Sequence, residues 1–320
     1  MRRALPIAVV LVLVAALGAA LLRQQHRRAQ AERALRLAVR GGDGGGLPLA
    51  PPSDEHLDAA ALARIAQEPA AAGLSALLIT RHGHLIYSRY GPGTGADTVI
   101  DSGGFARALI ALATGIAVDH RLIRSPPLLF EPERLRDLIE TSSHESYATF
   151  LGTHLWSRLN AGAAWVRLSA PGTPAPADCC FHARVQDWLR VGQLLANDGD
   201  FEDTDIVSRG WIQRMRQPQP SGTEGYGVVL PADRPGTPRY EARDLILLRG
   251  PGRWRLWIVP SLKLVVLFGA AGADDTPASA GSAAAGGWDE TRLPNLVIDA
   301  VTDRSTVAPG SLLHQLVPDH

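Results

Sequence analysis

The chain has 320 residues, of which 46% are hydrophobic and 20% are charged, and its 32 basic and 32 acidic residues leave a formal net charge of zero. This length and composition suit one folded domain of roughly 250 residues with appendages. The balanced charge gives no basis for a nucleic-acid partner, and we expect none.

The chain opens with an uncharged run of 19 residues, 4–22, which has arginines on both sides. That length suits one membrane span, although the small residues at 18–20 leave a cleaved signal peptide as an alternative. We predict an uncleaved anchor that continues as a basic helix, so that residues 1–40 form an N-terminal unit. Residues 41–52 are rich in Gly and Pro and are predicted to be a linker.

The main domain is predicted to span residues 53–304, with a loosely ordered tail at residues 305–320. Within it, residues 73–90 contain two apolar runs joined by a His-Gly pair, which is typical of a β-hairpin. His82 and His84 stand at this turn without a third ligand close by, so we expect no metal site there.

A long buried helix is predicted for residues 101–123, whose apolar residues recur at helical spacing behind small residues at the start. The helix ending Gly-Ile-Ala-Val-Asp-His-Arg-Leu-Ile and the preceding hairpin resemble the nucleophile helix of the serine β-lactamase and DD-peptidase superfamily. The similarity is greatest to its branch of esterases, class C β-lactamases and nylon-oligomer hydrolases. In that family the helix begins with the motif S-x-x-K. The resemblance places Gly104 at the serine position and Arg107 at the lysine position.

Both reactive positions of the motif are therefore changed. Glycine has no oxygen to be acylated, and a guanidinium with a pKa above about 12 cannot serve as a general base near neutral pH. A shifted alignment does not restore the motif, because Lys263 is the sole lysine of the chain and no serine stands three residues before it. The resemblance thus implies a serine-hydrolase fold without its nucleophile and base.

Residues 178–199 carry the most specific similarity. The nylon-oligomer hydrolase branch has the pattern G-x-C-C-x-x-A-x-D-x-A-R-x-G-x-L-x-x-N-x-G at this place. A disulfide between neighbouring cysteines is strained and rare, so Cys179 and Cys180 are expected to be a pair of small buried residues. The family's Tyr-x-Asn element does not occur in the sequence, and the chain between Gly115 and Tyr147 is too short for the helical insertion that carries it.

Antiparallel strands separated by Gly and Pro turns are predicted for much of the remainder. Their ranges are 225–230, 242–249, 254–259 and 262–268. A low-complexity segment of Ala, Gly and Ser follows at 270–287, before a closing helix. In register with the family, Leu248, Arg249 and Gly250 stand where a Lys-Thr-Gly or His-x-Gly triplet lines the active cleft, so the glycine alone is retained.

The resemblance implies an α+β fold of the β-lactamase/transpeptidase-like kind, with an antiparallel sheet flanked by helices. The helical insertion is reduced, and one transmembrane helix precedes the domain. Domains resembling this one work outside the cytoplasmic membrane, whereas the arginines that follow the apolar run favour a cytoplasmic domain. We follow the resemblance and expect a single-pass inner-membrane protein with a periplasmic domain. No cofactor or metal is implied, and no protein partner is indicated.

The first hypothesis for function is a pseudoenzyme with a binding or scaffolding role in the cell envelope. Arginines lining the former cleft would suit a carboxylate or phosphate ligand. These candidate anion-binding residues are Arg107, Arg249, Arg253 and Arg255. The competing explanation is that the arginines pair with acidic neighbours such as Asp101 or Asp244.

The second hypothesis is an active serine esterase or amidase with a relocated nucleophile. Ser102 or Ser143 would be that nucleophile, activated by His144 or His182. A third hypothesis is a structural membrane protein whose domain contacts other envelope components, through exposed apolar patches or a symmetric interface.

Overall fold

The structure is a computed structural model, which describes residues 4–65, 67, 73–220, 222, 224–231, 238–270 and 289–304. For residues 4–12 and 16 the backbone alone is described. The predicted tail at 305–320 and nearly all of the low-complexity segment therefore lie outside the described residues.

Helices and antiparallel strands alternate along the described chain. The helices are α1 (Ala4–Ala34), α2 (Ala59–Ile65), α3 (Ala106–Asp119), α4 (Pro132–Ser143), α5 (Tyr147–Leu151), α6 (Asp187–Ala196), α7 (Arg209–Met215) and α8 (Arg292–Asp299). The strands are β1 (Arg36–Val39), β2 (Leu74–Arg81), β3 (His84–Tyr90), β4 (Val99–Asp101), β5 (Ala164–Ala170), β6 (Thr173–Pro174), β7 (Phe181–Arg184), β8 (Asp200–Phe201), β9 (Thr204–Asp205), β10 (Ile246–Arg249), β11 (Arg255–Val259) and β12 (Leu264–Ala270). The predicted α+β class with antiparallel sheets is confirmed.

The main sheet has the strand order β10–β11–β12–β2–β3, and every neighbouring pair is antiparallel. Alternate residues of β12 point to opposite faces. Val265 and Leu267 join the core that contains α3 and α6, whereas Val266 and Phe268 join a second core with α2 and α8. Because helices cover both faces, β12 is buried along its whole length and contains no charged residue.

A second sheet, which the sequence did not predict, has the order β1–β5–β7–β4, with β6 paired to β5. Its strand β7 lies within the family-like segment at 178–199, and helix α6 of that segment begins at Asp187. The pairing of β4 with β7 places Asp101 opposite His182, directly before the start of α3. This sheet therefore supports the region in which the candidate site lies.

The N-terminal boundary differs from the prediction. The first helix ends at Ala34, and residues 36–39, predicted to be part of a basic helix, form strand β1 on β5. The predicted linker also packs on the domain, because Arg184 and Arg190 donate hydrogen bonds to the carbonyl oxygens of Gly44 and Gly45. The folded domain therefore begins at β1, and residues 36–52 are part of it.

Within the described residues, no helix combines the length and the apolar character that crossing a membrane requires. The predicted span at 4–22 includes residues whose side chains are outside the description. Membrane anchoring therefore stays a prediction.

The two cysteines differ from the expectation as well. Cys179 and Cys180 form a disulfide with each other, and both residues are half-buried. Cys180 adopts a positive φ of 67°, a conformation that is uncommon outside glycine. This local backbone conformation accompanies the bond between adjacent side chains, so the pair is a covalent feature of the loop before β7.

Candidate functional site

The candidate site is centred on Gly104, in a short helical turn formed by residues 103–105 immediately before α3. Asp101, the last residue of β4, accepts a hydrogen bond from the N–H of Gly103 at 2.9 Å. Gly103 itself has a positive φ of 45°, a region that glycine enters without steric cost. The turn is thereby fixed to the end of the second sheet and directs α3 towards the end of β10.

Gly104 lies directly against the backbone of β10. A Cβ atom added at this position would be 2.5 Å from the carbonyl oxygen of Arg249, a distance that real Cβ atoms essentially never show. A serine at this position requires the turn or the strand to move. The site therefore lacks the nucleophile, and the close packing leaves no space for its side chain.

The backbone groups that face this turn are also unsuited to stabilising an oxyanion. A Cβ at Gly103 would lie 2.8 Å from the nitrogen of Pro251, which carries no hydrogen, and Gly104 faces the carbonyl oxygen of Arg249. The N–H of Gly250 donates instead to the carbonyl oxygen of Trp254 at 2.9 Å. An oxyanion hole needs preorganised donors that point at the developing charge, and these groups provide none.

Arg107 is held by neighbouring acidic and aromatic side chains. Its Nη2 donates to Oε2 of Glu224 at 3.0 Å, and its Nη1 is 3.9 Å from Oδ2 of Asp178. The guanidinium also lies 4.8 Å from the ring centre of Phe130, within the range of a cation–π contact. Arg107 is thus a fixed cation that cannot replace the basic lysine of the S-x-x-K motif.

Arg249 and Arg255 share one carboxylate. Glu290 accepts hydrogen bonds from both guanidinium groups and from the hydroxyl of Tyr240 at 3.2 Å. Burial by itself raises the pKa of Glu290, but the hydrogen bonds and positive charges of the two arginines outweigh it and hold the pKa below its ordinary value. Glu290 is therefore ionised and serves as the internal counterion of this cluster.

Three of the four predicted anion-binding arginines therefore have a carboxylate partner within the chain. Arg107 pairs with Glu224, and both Arg249 and Arg255 pair with Glu290. Arg253 lies half-buried in the turn between β10 and β11. Pairing of the arginines with acidic side chains is what the competing explanation predicted, although the partners are glutamates that the sequence did not single out.

The two acidic residues proposed as partners have other roles. Asp101 accepts from Gly103 and lies 3.7 Å from Nε2 of His182. Asp244 accepts hydrogen bonds from the backbone and hydroxyl of Ser261. No sequence motif marks Glu224 or Glu290, because each comes close to its arginine partners through tertiary contacts across 35 positions or more.

The remaining motif-equivalent residue, Leu248, is buried in the core with its side chain only 1% exposed. It cannot line a cleft. Gly250 is retained, but a Cβ at this position would be 2.8 Å from Cβ of Trp254 and 3.1 Å from the ring of Phe105. The three positions that match the cleft triplet thus supply a core residue, a glutamate-bound arginine and a tightly packed glycine.

The alternative nucleophile Ser102 is fully buried and structural. Its hydroxyl accepts a hydrogen bond from the N–H of Phe181 at 3.1 Å, and its backbone N–H donates to the carbonyl of the same residue. His182 stacks on Trp165 with 5.2 Å between the ring centres, and burial lowers its pKa. In the described part of the chain, no hydrogen bond joins Ser102 to a histidine.

Ser143, the other alternative, ends α4. Its hydroxyl donates to the carbonyl of Ile139 at 2.7 Å and accepts from the N–H of Glu145 at 3.2 Å. His144, its proposed base, adopts a left-handed conformation and caps the helix through its backbone N–H. These contacts are those of a helix terminus, so the geometry does not support a Ser-His pair here.

His82 and His84 both face the carboxylate of Glu55. The Nδ1 atoms of both rings are 2.7 Å from separate oxygens of the Glu55 carboxylate. Across the described ranges, no group of three or more His, Cys, Asp or Glu residues has the arrangement needed to hold a metal ion.

The chain matches no protein-family model, and no curated protein matches it in sequence. Solved structures do share its fold. A protein from Bacillus anthracis described as a 6-aminohexanoate-dimer hydrolase has a TM-score of 0.58 and 13% identity, covering 74% of this chain and 85% of that one. A β-lactamase from Mycobacterium bovis gives 0.56 and 14%, covering 76% and 99%. A family VIII carboxylesterase gives 0.56 and 10%, covering 80% and 99%.

These similarities confirm the resemblance inferred from the nucleophile-helix region and from residues 178–199. The chain has the fold of the serine β-lactamase and transpeptidase-like superfamily. At these sequence identities the likeness concerns the fold, and function has to be argued from the site itself.

Proposed function

We propose that this chain is a catalytically inactive β-lactamase-like domain with a scaffolding role in the cell envelope. Position 104 carries this proposal, because its glycine has no nucleophilic side chain and the carbonyl oxygen of Arg249 occupies the space that such a side chain needs. Acyl transfer requires an activated nucleophile, a base and oxyanion donors in one arrangement. Gly104 and Arg107 supply neither a nucleophile nor a base, and Gly250 and Pro251 supply no oxyanion donor.

Scaffolding is favoured over binding of a carboxylate or phosphate at this site. Three of the candidate arginines are bound to Glu224 and Glu290, so an incoming anion must displace a bound carboxylate or accept its repulsion. A fixed network of this kind stabilises the junction between α3, β10 and the segment before α8.

We further propose that residues 4–22 attach the chain to the inner membrane and that the domain lies in the periplasm. The uncharged run supports the anchor. The disulfide between Cys179 and Cys180 supports an oxidising compartment, since disulfides persist outside the reducing cytosol. Cell fractionation followed by protease treatment of intact spheroplasts tests this part: digestion of the domain is expected, and protection would place it in the cytoplasm.

Catalytic inactivity is tested by treating the purified full-length chain with a fluorescent fluorophosphonate and a fluorescent penicillin. No labelling is expected with either probe. A labelled serine located by peptide mass spectrometry would overturn the proposal, and the variants Ser102→Ala and Ser143→Ala would identify a relocated nucleophile.

A second variant tests the geometric argument. In Gly104→Ser/Arg107→Lys the two motif residues are restored, yet labelling is expected to stay absent because the space beside Arg249 is occupied. Labelling of the double variant alone would show that the site is intact apart from these two side chains.

A further inference from the structure

A second pocket lies behind α3, apart from the Gly104 site. It is a cavity of about 40 Å³ bounded by α3, α4, α5 and the strands β1, β5 and β6. Its inner wall includes the buried residues Leu109 and Phe181, whereas Leu37 and Pro174 at its edge are exposed. Space of this size holds more than one water-sized group, and the exposed edge gives a ligand a path of entry.

Most of the residues that line the cavity are apolar. Tyr147 is a polar exception. Tyr147 lines the cavity and is 7% exposed, and its hydroxyl has no hydrogen-bond partner among the described residues. A buried hydroxyl without a partner is costly. Burial raises the pKa of Tyr147, so the hydroxyl stays protonated near neutral pH and is able to donate.

Arg136 supplies a second buried donor at the cavity. Its Nε makes no hydrogen bond within the described structure and lies 3.7 Å from Oδ1 of Asp137, beyond hydrogen-bond distance. The other nitrogens of the guanidinium are bound, Nη1 to the carbonyl of Ala175 at 2.9 Å and Nη2 to Glu133 at 2.7 Å. Two of the lining residues therefore each carry a buried donor that has no acceptor among the described residues.

The charges around the cavity indicate the kind of acceptor that fits. The single guanidinium of Arg136 is accompanied by the carboxylates of Glu133, Asp137 and Glu140, the last of which accepts from the N–H of Tyr147 at 2.7 Å. The charged residues that line the cavity are Arg136, which is already paired with Glu133, and Glu140, so an anionic ligand would meet an unneutralised carboxylate. A neutral carbonyl oxygen accepts hydrogen bonds without this repulsion.

We propose that the cavity beside Tyr147 encloses the carbonyl end of a small, neutral and mainly apolar molecule, such as a ketone or an ester, whose remaining chain leaves through the exposed edge at Leu37 and Pro174. Apolar groups of the ligand contact the walls formed by Val166 and Leu168, and its oxygen accepts from Tyr147. The site is separate from the former catalytic cleft, because Leu109 of α3 faces the cavity while Arg107 faces Glu224.

Ligand-observed NMR titration of the full-length chain tests this proposal with three probes of equal chain length. The probes are 2-hexanone, 2-methyl-1-hexene, in which a methylene group replaces the oxygen, and hexanoate. Saturable binding is expected for the ketone, with weaker binding of the alkene and of the anion. Tyr147→Phe is expected to weaken ketone binding roughly 2- to 10-fold, the effect of one neutral hydrogen bond, and to leave alkene binding unchanged.

Two further variants keep the test decisive. Leu168→Trp at the half-buried edge is expected to reduce binding of the ketone and the alkene together, and Tyr87→Phe, which is remote from the cavity, should change neither. Thermal unfolding verifies that each variant is folded. Equal binding of ketone and alkene by the wild type, preferred binding of hexanoate, or ketone binding that Leu168→Trp does not affect would each overturn the proposal.

Discussion

The guanidinium of Arg249 donates two hydrogen bonds to the carboxylate of Glu290, with distances of 3.2 Å from Nε to Oε1 and 2.8 Å from Nη2 to Oε2. This paired geometry is among the strong interactions of side chains. It connects the end of β10 with the segment that leads into α8. The same carboxylate binds Arg255, which is almost fully buried, so one glutamate neutralises two cations.

Replacement of Glu290 by glutamine is expected to destabilise the fold. The variant keeps the shape of the side chain but removes the negative charge that Arg249 and Arg255 share. Because Arg249 is 43% exposed and partly screened by solvent, we expect a loss of about 2 to 3 kcal/mol, below the upper range for a fully buried pair. Urea unfolding at pH 7 measures it, with the exposed Glu131→Gln as the control. Equal free energies of unfolding for wild type and Glu290→Gln would contradict the role assigned to Glu290.

The same interaction predicts a pH dependence. The pKa of Glu290 in the folded chain is lowered, after the opposing effect of burial, by hydrogen bonds and charge from Arg249 and Arg255. A carboxyl group with a lowered folded pKa stabilises the fold fully above its unfolded pKa of about 4.3, and this stabilisation disappears as pH falls through the folded pKa. The difference in unfolding free energy between wild type and Glu290→Gln should therefore be largest near pH 7 and shrink below about pH 4. If the difference in unfolding free energy between wild type and Glu290→Gln instead grows on acidification, the predicted direction of the pH dependence is wrong.

Substitution of Gly104 probes the close packing of the turn against β10. Gly104→Ala is expected to cost about 1 to 3 kcal/mol, the usual range for overpacking, because its Cβ meets the carbonyl oxygen of Arg249. Gly210→Ala in α7 is the matched control, since no atom lies within 4 Å of its added Cβ. This control should be stabilising by about 0.5 to 1 kcal/mol, owing to the better helix propensity of alanine. Chemical denaturation measures the free energy of unfolding of both variants. An unchanged free energy for Gly104→Ala would mean that the turn moves to accommodate the added Cβ at little cost.

The parts of the fold that follow from sequence are those with a local pattern. The helical spacing behind Gly104 and the alternating or continuous apolar runs of the main sheet identify α3, β2 and β12 because periodicity and burial coincide there. The absence of a nucleophile is equally visible, since it depends on the identity of one residue. Strand β1 was missed because it directly follows a long helix and pairs with β5, about 130 positions later. Its pairing is decided by tertiary contact and not by local propensity.

In the candidate site, too, the residues at motif positions were predictable from sequence, whereas their tertiary partners were not. The motif positions indicated Arg107 and Arg249, and both residues lie beside Gly104. Their counterions were not indicated, because Glu224 and Glu290 are ordinary surface-type residues in the sequence that become partners only after the chain has folded. The Tyr147 cavity was missed for the same reason: a buried tyrosine is usually a core residue, and an unpartnered hydroxyl is visible only in three dimensions.

The disulfide between Cys179 and Cys180 is expected to be present in the purified full-length protein. Alkylation with iodoacetamide under denaturing conditions, followed by mass spectrometry, should modify neither cysteine before reduction and both after it. Alkylation before reduction would show free thiols and would also remove one support for the proposed periplasmic location. Non-reducing electrophoresis distinguishes this bond within one chain from a disulfide between two chains. The chain should migrate as a monomer.

Residues 36–52 should be indispensable for stability, contrary to their appearance as a linker. Asp187 is fully buried and binds Arg184 with Nε–Oδ2 at 2.8 Å, while Arg184 and Arg190 donate onward to the carbonyls of Gly44 and Gly45. A chain that begins at residue 53 loses these acceptors and strand β1, so Nη2 of the buried Arg190 loses its acceptor, whereas Arg184 keeps its bonds to Asp187. We expect it to be less stable than a chain that begins at residue 35 by about 3 kcal/mol or more, since each unsatisfied buried charged donor costs at least 1 to 3 kcal/mol. Comparison of their urea midpoints decides between an integral segment and a flexible tether, because a tether predicts identical midpoints.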